Sequence, residues 1–290
     1  MKIRTCYSHN YGAPTKFASM RKLPFVARMA EDEGLVDLVD PGSIPLDKLA
    51  KLHDPAYVLS FLAGQGKLAE SNSIDWNRNV RDGVLAINAG QLVAAENAFK
   101  YGIAANIGQG FHHAVYNEGA SFCTFNGLAL VAQENPDKKV FVLDCDEHGG
   151  NGTQEFTERL KNLYNFTING DDFGCTNTER STSITLKEVT ADFRPYNLAL
   201  NKAFDKIINV RPDIILYQAG MDPHKDDPCS QLLMTAEQLR IRDRMVFKFA
   251  KEQAIPLMFV LAGGYQEPIK ERLVPLHVNT FREAFSVYNG

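Results

Sequence analysis

Four stretches of the chain concentrate residues that bind cations or move protons. Asp144, Asp146 and His148 alternate directly after the apolar run Val140-Phe141-Val142-Leu143. With the two-residue period of extended chain they point the same way, so a carboxylate and an imidazole converge on one cation with another carboxylate behind them. Burying such groups without a cation or partner is costly. Capping of a following helix accounts for Asn151 or one aspartate and leaves the others unexplained. A further acid, Asp222, follows the apolar run 213–219 within Gly220-Met221-Asp222-Pro223. Two carboxylates and one imidazole make a three-ligand set, which on zinc leaves a position open for water. His112 and His113 follow Gly108-Gln109-Gly110-Phe111, and two bases at one glycine turn point to proton transfer. Seen alone they read more simply as surface or capping histidines. Gly263-Gly264-Tyr265 allows a close backbone approach and delivers a phenol, although by itself it is a turn with an aromatic.

The elements that must position these residues follow from the apolar pattern. Residues 103–107, 139–143, 163–168, 212–217 and 256–261 are apolar on both faces, as buried parallel strands are. Residues 86–101, 153–163, 196–210 and 235–253 read as helices, the last starting at a Thr235 cap with Gln238 three residues on. Alternation of strand and helix predicts a single α/β domain over residues 1–290, with a mostly parallel central sheet and helices on both faces. In such sheets ligands bind at the carboxyl ends of the strands, where the four polar endings fall.

Taken together, the endings resemble the histone deacetylase family of zinc-dependent amidohydrolases. The ordered series is Gly-Phe-His-His-Ala (110–114), Asp-x-Asp-x-His-x-Gly-Asn-Gly (144–152), Gly-x-Asp-Pro-x-x-x-Asp-Pro (220–228) and Gly-Gly-Tyr (263–265). The stretches 52–58 and 121–126 agree with flanking segments of that family, and Lys16-Phe17 and Arg240-Ile241-Arg242-Asp243 are similar to its class IV and bacterial members. The resemblance implies the arginase/deacetylase-like fold and one Zn2+ per chain, held by Asp146, His148 and Asp222. That ion would lower the pKa of a water and polarise the substrate carbonyl. It implies His112 and His113 as the proton-handling pair and Tyr265 as hydrogen-bond donor to the oxyanion. Asp144 would fix the tautomer of His112 and help bind a monovalent cation such as K+. Asn151 stands where many members have Asp, so His113 would hold its proton less tightly. Phe122 would be a wall of a narrow acyl-lysine tunnel, with Phe173, Cys229, Gly110 and Gly264 as substrate neighbours. Ser121 and Gln109 stand where glycine is common in the family, which alters the tunnel's fine shape.

Composition bounds the rest. The chain has 290 residues, 44% of them hydrophobic, and a formal charge of −4, which gives no electrostatic basis for nucleic acid as ligand. Its five scattered cysteines contain no Cys-x-x-Cys pair, and no membrane-length apolar run or secretory leader is evident, so a reducing cytoplasm is expected. The expected activity is hydrolysis of an acyl-lysine or a related amide, acetylpolyamines and longer fatty acyl chains included. Two alternatives are a binuclear manganese ureohydrolase of the arginase kind and a silent acyl-lysine binding module. The former needs further carboxylates, but Gly150 and Gly220 occupy plausible places for them; the latter is disfavoured by the complete set of catalytic residue types.

Overall fold

Eight short strands, each parallel to its neighbours, form one sheet in the order β2-β1-β3-β8-β7-β4-β5-β6. They are β1 (Ile3–Cys6), β2 (Val36–Val39), β3 (Ile103–Asn106), β4 (Val140–Asp144), β5 (Leu163–Asn169), β6 (Ser181–Thr185), β7 (Ile214–Gln218) and β8 (Leu257–Val260). The helices are α1 (Ala18–Arg21), α2 (Leu23–Asp32), α3 (Leu46–Leu52), α4 (Pro55–Ala63), α5 (Arg78–Tyr101), α6 (Gly127–Glu134), α7 (Asn151–Arg159), α8 (Arg194–Val210), α9 (Ala236–Glu252) and α10 (Val274–Asn289). This computed structural model describes every residue except Pro14 and Phe17, so the Lys16-Phe17 pair lies partly outside the described residues.

The central strands β3, β8, β7 and β4 are buried at every residue, as parallel strands covered on both faces must be. Their last residues lie level across the sheet: Asn106 pairs with Val260, Val260 with Gln218, and Gln218 with Asp144. The four loops expected to carry chemistry therefore leave one edge side by side, although they lie far apart in the sequence.

All five expected strands are present, and the sheet is parallel throughout rather than mostly so. Strands β1, β2 and β6 were not expected. Ile3-Arg4-Thr5-Cys6, Val36-Asp37-Leu38-Val39 and Ser181-Thr182-Ser183-Ile184-Thr185 mix polar with apolar residues, and β2 and β6 are the sheet edges, where a continuous apolar run is not required. The helix expected over 153–163 instead runs Asn151–Arg159, and Leu163 opens β5. Between them Asn162 Nδ2 donates to the carbonyls of Ala132, Asn135 and Lys138, which pins the chain out of the helix. Helix α5 starts eight residues earlier than expected because Asn77 caps it, its side chain accepting from Val80 N at 3.0 Å. The Thr235–Gln238 capping box of α9 forms as expected, with both reciprocal hydrogen bonds made.

Candidate active site

After β4 the chain zigzags through two side-chain-to-backbone turns: Asp144 Oδ1 accepts from Asp146 N, and Asp146 Oδ1 from His148 N, each at 3.1 Å. The turns hold the alternation beyond the strand. Asp222 arrives from the neighbouring β7 loop and is fixed by Glu147 N, which donates to its Oδ1 at 3.1 Å. One ligand atom each from Asp146, His148 and Asp222 lies within 4.8 Å of the others. His148 Nδ1 is 3.3 Å from Asp146 Oδ1 and 3.4 Å from Asp222 Oδ2. Both carboxylates are buried, and Asp222 Oδ2 accepts no hydrogen bond. Such an atom calls for a cation. Burial, and then the charge of Asp146, push the Asp222 carboxyl up to about 7, the behaviour of acids packed against each other without a counter-ion.

Glycines let the backbone close around this cluster. A Cβ on Gly263 would lie 2.0 Å from Asp222 Oδ2, and one on Gly220 would lie 2.7 Å from oxygens of both Asp146 and Asp222. No larger side chain fits at either place, so Gly220 leaves no room for a further carboxylate. Gly263 N also donates to Asp146 Oδ2 at 2.8 Å. Among the described residues these three ligands form the one group of metal-ligating type. Their donor set, two carboxylates and one imidazole, suits a single zinc-like divalent ion with a position left open.

The histidines stand beside this group, their rings tilted by 44° with centroids 4.0 Å apart. His112 Nδ1 donates to Asp144 Oδ2 and His113 Nδ1 to Asn151 Oδ1, each at 2.7 Å. Since a carboxylate only accepts, His112 carries its proton on Nδ1 and turns Nε2 toward Asp146, 3.8 Å away. Their environments drive the two rings apart. Burial works against charge on His112, but Asp144 and Asp146 outweigh it and its pKa is raised. Burial, followed by the charge of His112, holds His113 well below the ordinary histidine range. Asn151 opens α7 without capping it by its side chain, which is spent on His113. Asp144 is occupied by His112, Gln218 and the Asp146 amide, and these contacts do not call for the monovalent cation.

Tyr265 is placed by its backbone N, which donates to Asp227 Oδ2 at 2.7 Å. It lines one small pocket with His112, His113 and Asp146. The Phe122 ring centroid lies 5.9 Å from that of Tyr265, and the Phe173 ring, tilted by 30°, lies 4.1 Å from that of His113. Phe111, Ser121, Phe122, Phe173 and Ala262 all have positive φ, so five bulkier residues around the site sit in the left-handed region that favours glycine. Gly110 lines the same small pocket, whereas Gly264 (φ 135°) packs behind the turn, where a Cβ would meet Leu273 and His277. Cys229 is exposed, its N donating to Asp227 Oδ1.

Sequence reasoning missed two buried cations. Lys22, at the start of α2, donates from Nζ to the carbonyls of Ala262 (2.5 Å) and Gly263 (3.0 Å). Arg242, in α9, donates from Nη1 to the carbonyls of Cys145 (3.0 Å) and Gly220 (2.9 Å) and from Nε to Asp243. Between them they hold the backbones of three loops and place positive charge behind the acids. Arg242 lay in a stretch already singled out, but nothing in its spacing marked it as buried; Lys22 carried no signal.

A candidate metal-ligand triad, paired histidines and a phenol stand together at the carboxyl edge of a parallel α/β sheet, the arrangement of an amidohydrolase. The histone deacetylase domain model matches residues 16–281, and the chain belongs to the histone deacetylase family; it is a deacetylase acting on an amide. It is 28% identical over 293 residues to a probable deacetylase of Archaeoglobus fulgidus (89% of this chain, 79% of that one). It is 22% identical over 325 residues to the acetylpolyamine amidohydrolase of Mycoplana ramosa (92% and 93%). The crystal structure of acetylpolyamine aminohydrolase from Burkholderia pseudomallei superposes with a TM-score of 0.81 at 17% identity, covering 98% of this chain and 99% of that one, so the two share a fold.

Proposed function

We propose that this protein is a zinc-dependent deacylase that cleaves the amide between a short acyl group and the primary amine of a narrow alkyl chain, as in acyl-lysine or an acetylpolyamine. One observation carries the reading: the ligand atoms of Asp146, His148 and Asp222 converge beside two histidines whose Nδ1 atoms donate to Asp144 and Asn151. Zinc held by those three residues would polarise the substrate carbonyl and make water acidic at neutral pH. His113, neutral and with Nδ1 engaged by Asn151, offers its Nε2 lone pair to take the proton of the attacking water. His112, held toward the charged form between Asp144 and Asp146, adds a positive field to the developing oxyanion. Tyr265 donates a hydrogen bond to that oxygen. The proton on His113 then passes to the nitrogen as the C–N bond breaks, releasing carboxylate and amine. Phe122 beside Tyr265 and Phe173 beside His113 would flank the alkyl stem of the amine. Residues 1–290 act as one catalytic domain.

The test is turnover of acetyl-lysine peptides and acetylpolyamines by the zinc-loaded protein and by Tyr265→Phe. Loss of the phenol should leave the metal bound while lowering kcat by about 10²–10³, the scale of a lost oxyanion donor. Equal rates for the two proteins would remove Tyr265 from the mechanism.

A further inference from the structure

Resting on the deacylase reading, a second feature bears on which acyl groups the site accepts. The pocket beside the histidines and Tyr265 has a volume of about 20 Å³. This small space must also take the substrate carbonyl and the attacking water, which leaves little room for an acyl chain. Two glutamines line it, Gln109 (6% exposed) and Gln218 (1%). Each has a buried side-chain atom without a hydrogen-bond partner, Nε2 of Gln109 and Oε1 of Gln218.

Gln218 is held at its side chain, whose Nε2 donates to Asp144 Oδ2 at 3.3 Å, and Gln109 at its backbone, whose carbonyl accepts from Gln91 Nε2 at 2.7 Å. Gly110 packs tightly against Gln218 and Leu128, since a Cβ there would meet Gln218 Oε1 at 2.1 Å and Leu128 Cγ at 2.8 Å. An acyl chain extending past its first methyl group would run into this wall. It would also bury methylenes against an amide N–H and an amide oxygen that would then have neither protein nor water to bond, which is costly.

We propose that Gln109, backed by Gln218, is the acyl-length determinant of this protein and restricts the acyl group it removes to formyl or acetyl. A formyl or acetyl group stops short of the two amides and leaves them their water; a butyryl group does not.

The experiment is a series of formyl-, acetyl-, butyryl- and octanoyl-lysine peptides, assayed on the zinc-loaded protein and on Gln109→Ala and Gln109→Gly. One misplaced methylene in a tight pocket changes kcat/KM by about 10–200-fold. The parent protein should therefore discriminate at least about tenfold against butyryl relative to acetyl, and the variants should raise the butyryl-to-acetyl ratio by about tenfold. Faster octanoyl than acetyl hydrolysis by the parent, or an unchanged ratio in variants with unchanged circular dichroism, would overturn the proposal. Should the variants not fold, product inhibition of the parent decides. Acetate inhibiting more strongly than butyrate or hexanoate supports the proposal, and equal inhibition overturns it. Failure of the zinc-loaded protein to hydrolyse any of the peptides would instead refute the deacylase reading, a result distinct from hydrolysis that ignores chain length.

Discussion

Two adjacent histidines differ in their readiness to hold a proton because of what stands behind each ring. Asp144 supplies His112 with a full negative charge at 2.7 Å; Asn151 supplies His113 with an amide oxygen at the same distance and no charge. The one ring is held toward imidazolium and the other well below its ordinary range, which suits His113 to carry the proton in both directions and His112 to stay charged beside it. Replacing Asn151→Asp should raise the His113 pKa, since an opposite charge in contact favours the protonated ring. The base would then be protonated up to a higher pH, moving the acidic limb of kcat/KM upward. NMR titration of the His113 ring checks the shift, and an unmoved or lowered pKa would contradict it.

At the scale of elements, the site exists because β3, β8, β7 and β4 end level with one another. Much of that was legible in the sequence: the four strands are apolar runs, and each leads directly into the residues that do chemistry. What was not legible is how the loops are held. Lys22 and Arg242 act through backbone carbonyls, which have no residue-type signature, and are contributed by helices remote from the motifs they support. Nor does an Asn beside a helix start announce whether its side chain caps the helix or reaches a histidine, as Asn151 does. The glycines were recognised as turns, yet their sharper role is steric. Gly263→Ala would place a methyl group 2.0 Å from Asp222 Oδ2 and displace that ligand. The variant should fold with the same secondary structure but lose at least about tenfold in zinc affinity, measured by competition with a chromophoric chelator. Wild-type affinity would show that the backbone does not constrain the ligand in this way.

For the whole molecule, buried histidines make stability depend on pH. His53 is fully buried, with Nδ1 against the carbonyls of Val115 (2.9 Å) and Tyr116 (3.2 Å) and Nε2 accepting from Asn126 N (3.0 Å). Burial pulls its pKa down to about 4 from 6.5. Between those values the unfolded chain binds the extra proton, so this contribution to stability is complete above pH 6.5 and is lost as pH falls toward 4. At about 1.4 kcal/mol per unit it amounts to about 3 kcal/mol. Chemical denaturation at pH 7 and pH 4.5 should show the decline, and His53→Gln, which cannot charge, should show a shallower one. Parallel declines in the two proteins would contradict the assignment. Among the described residues no helix is long and apolar enough to cross a membrane.

Every catalytic role assigned above depends on one divalent ion held by Asp146, His148 and Asp222. The most direct measurement is metal content and acetyl-lysine hydrolysis in the same sample, before chelation, after it, and after zinc is restored. One ion per chain should be found, with activity lost on its removal and regained on its return, and Asp222→Asn should neither bind the ion nor turn over. Undiminished hydrolysis by metal-free protein would contradict the account.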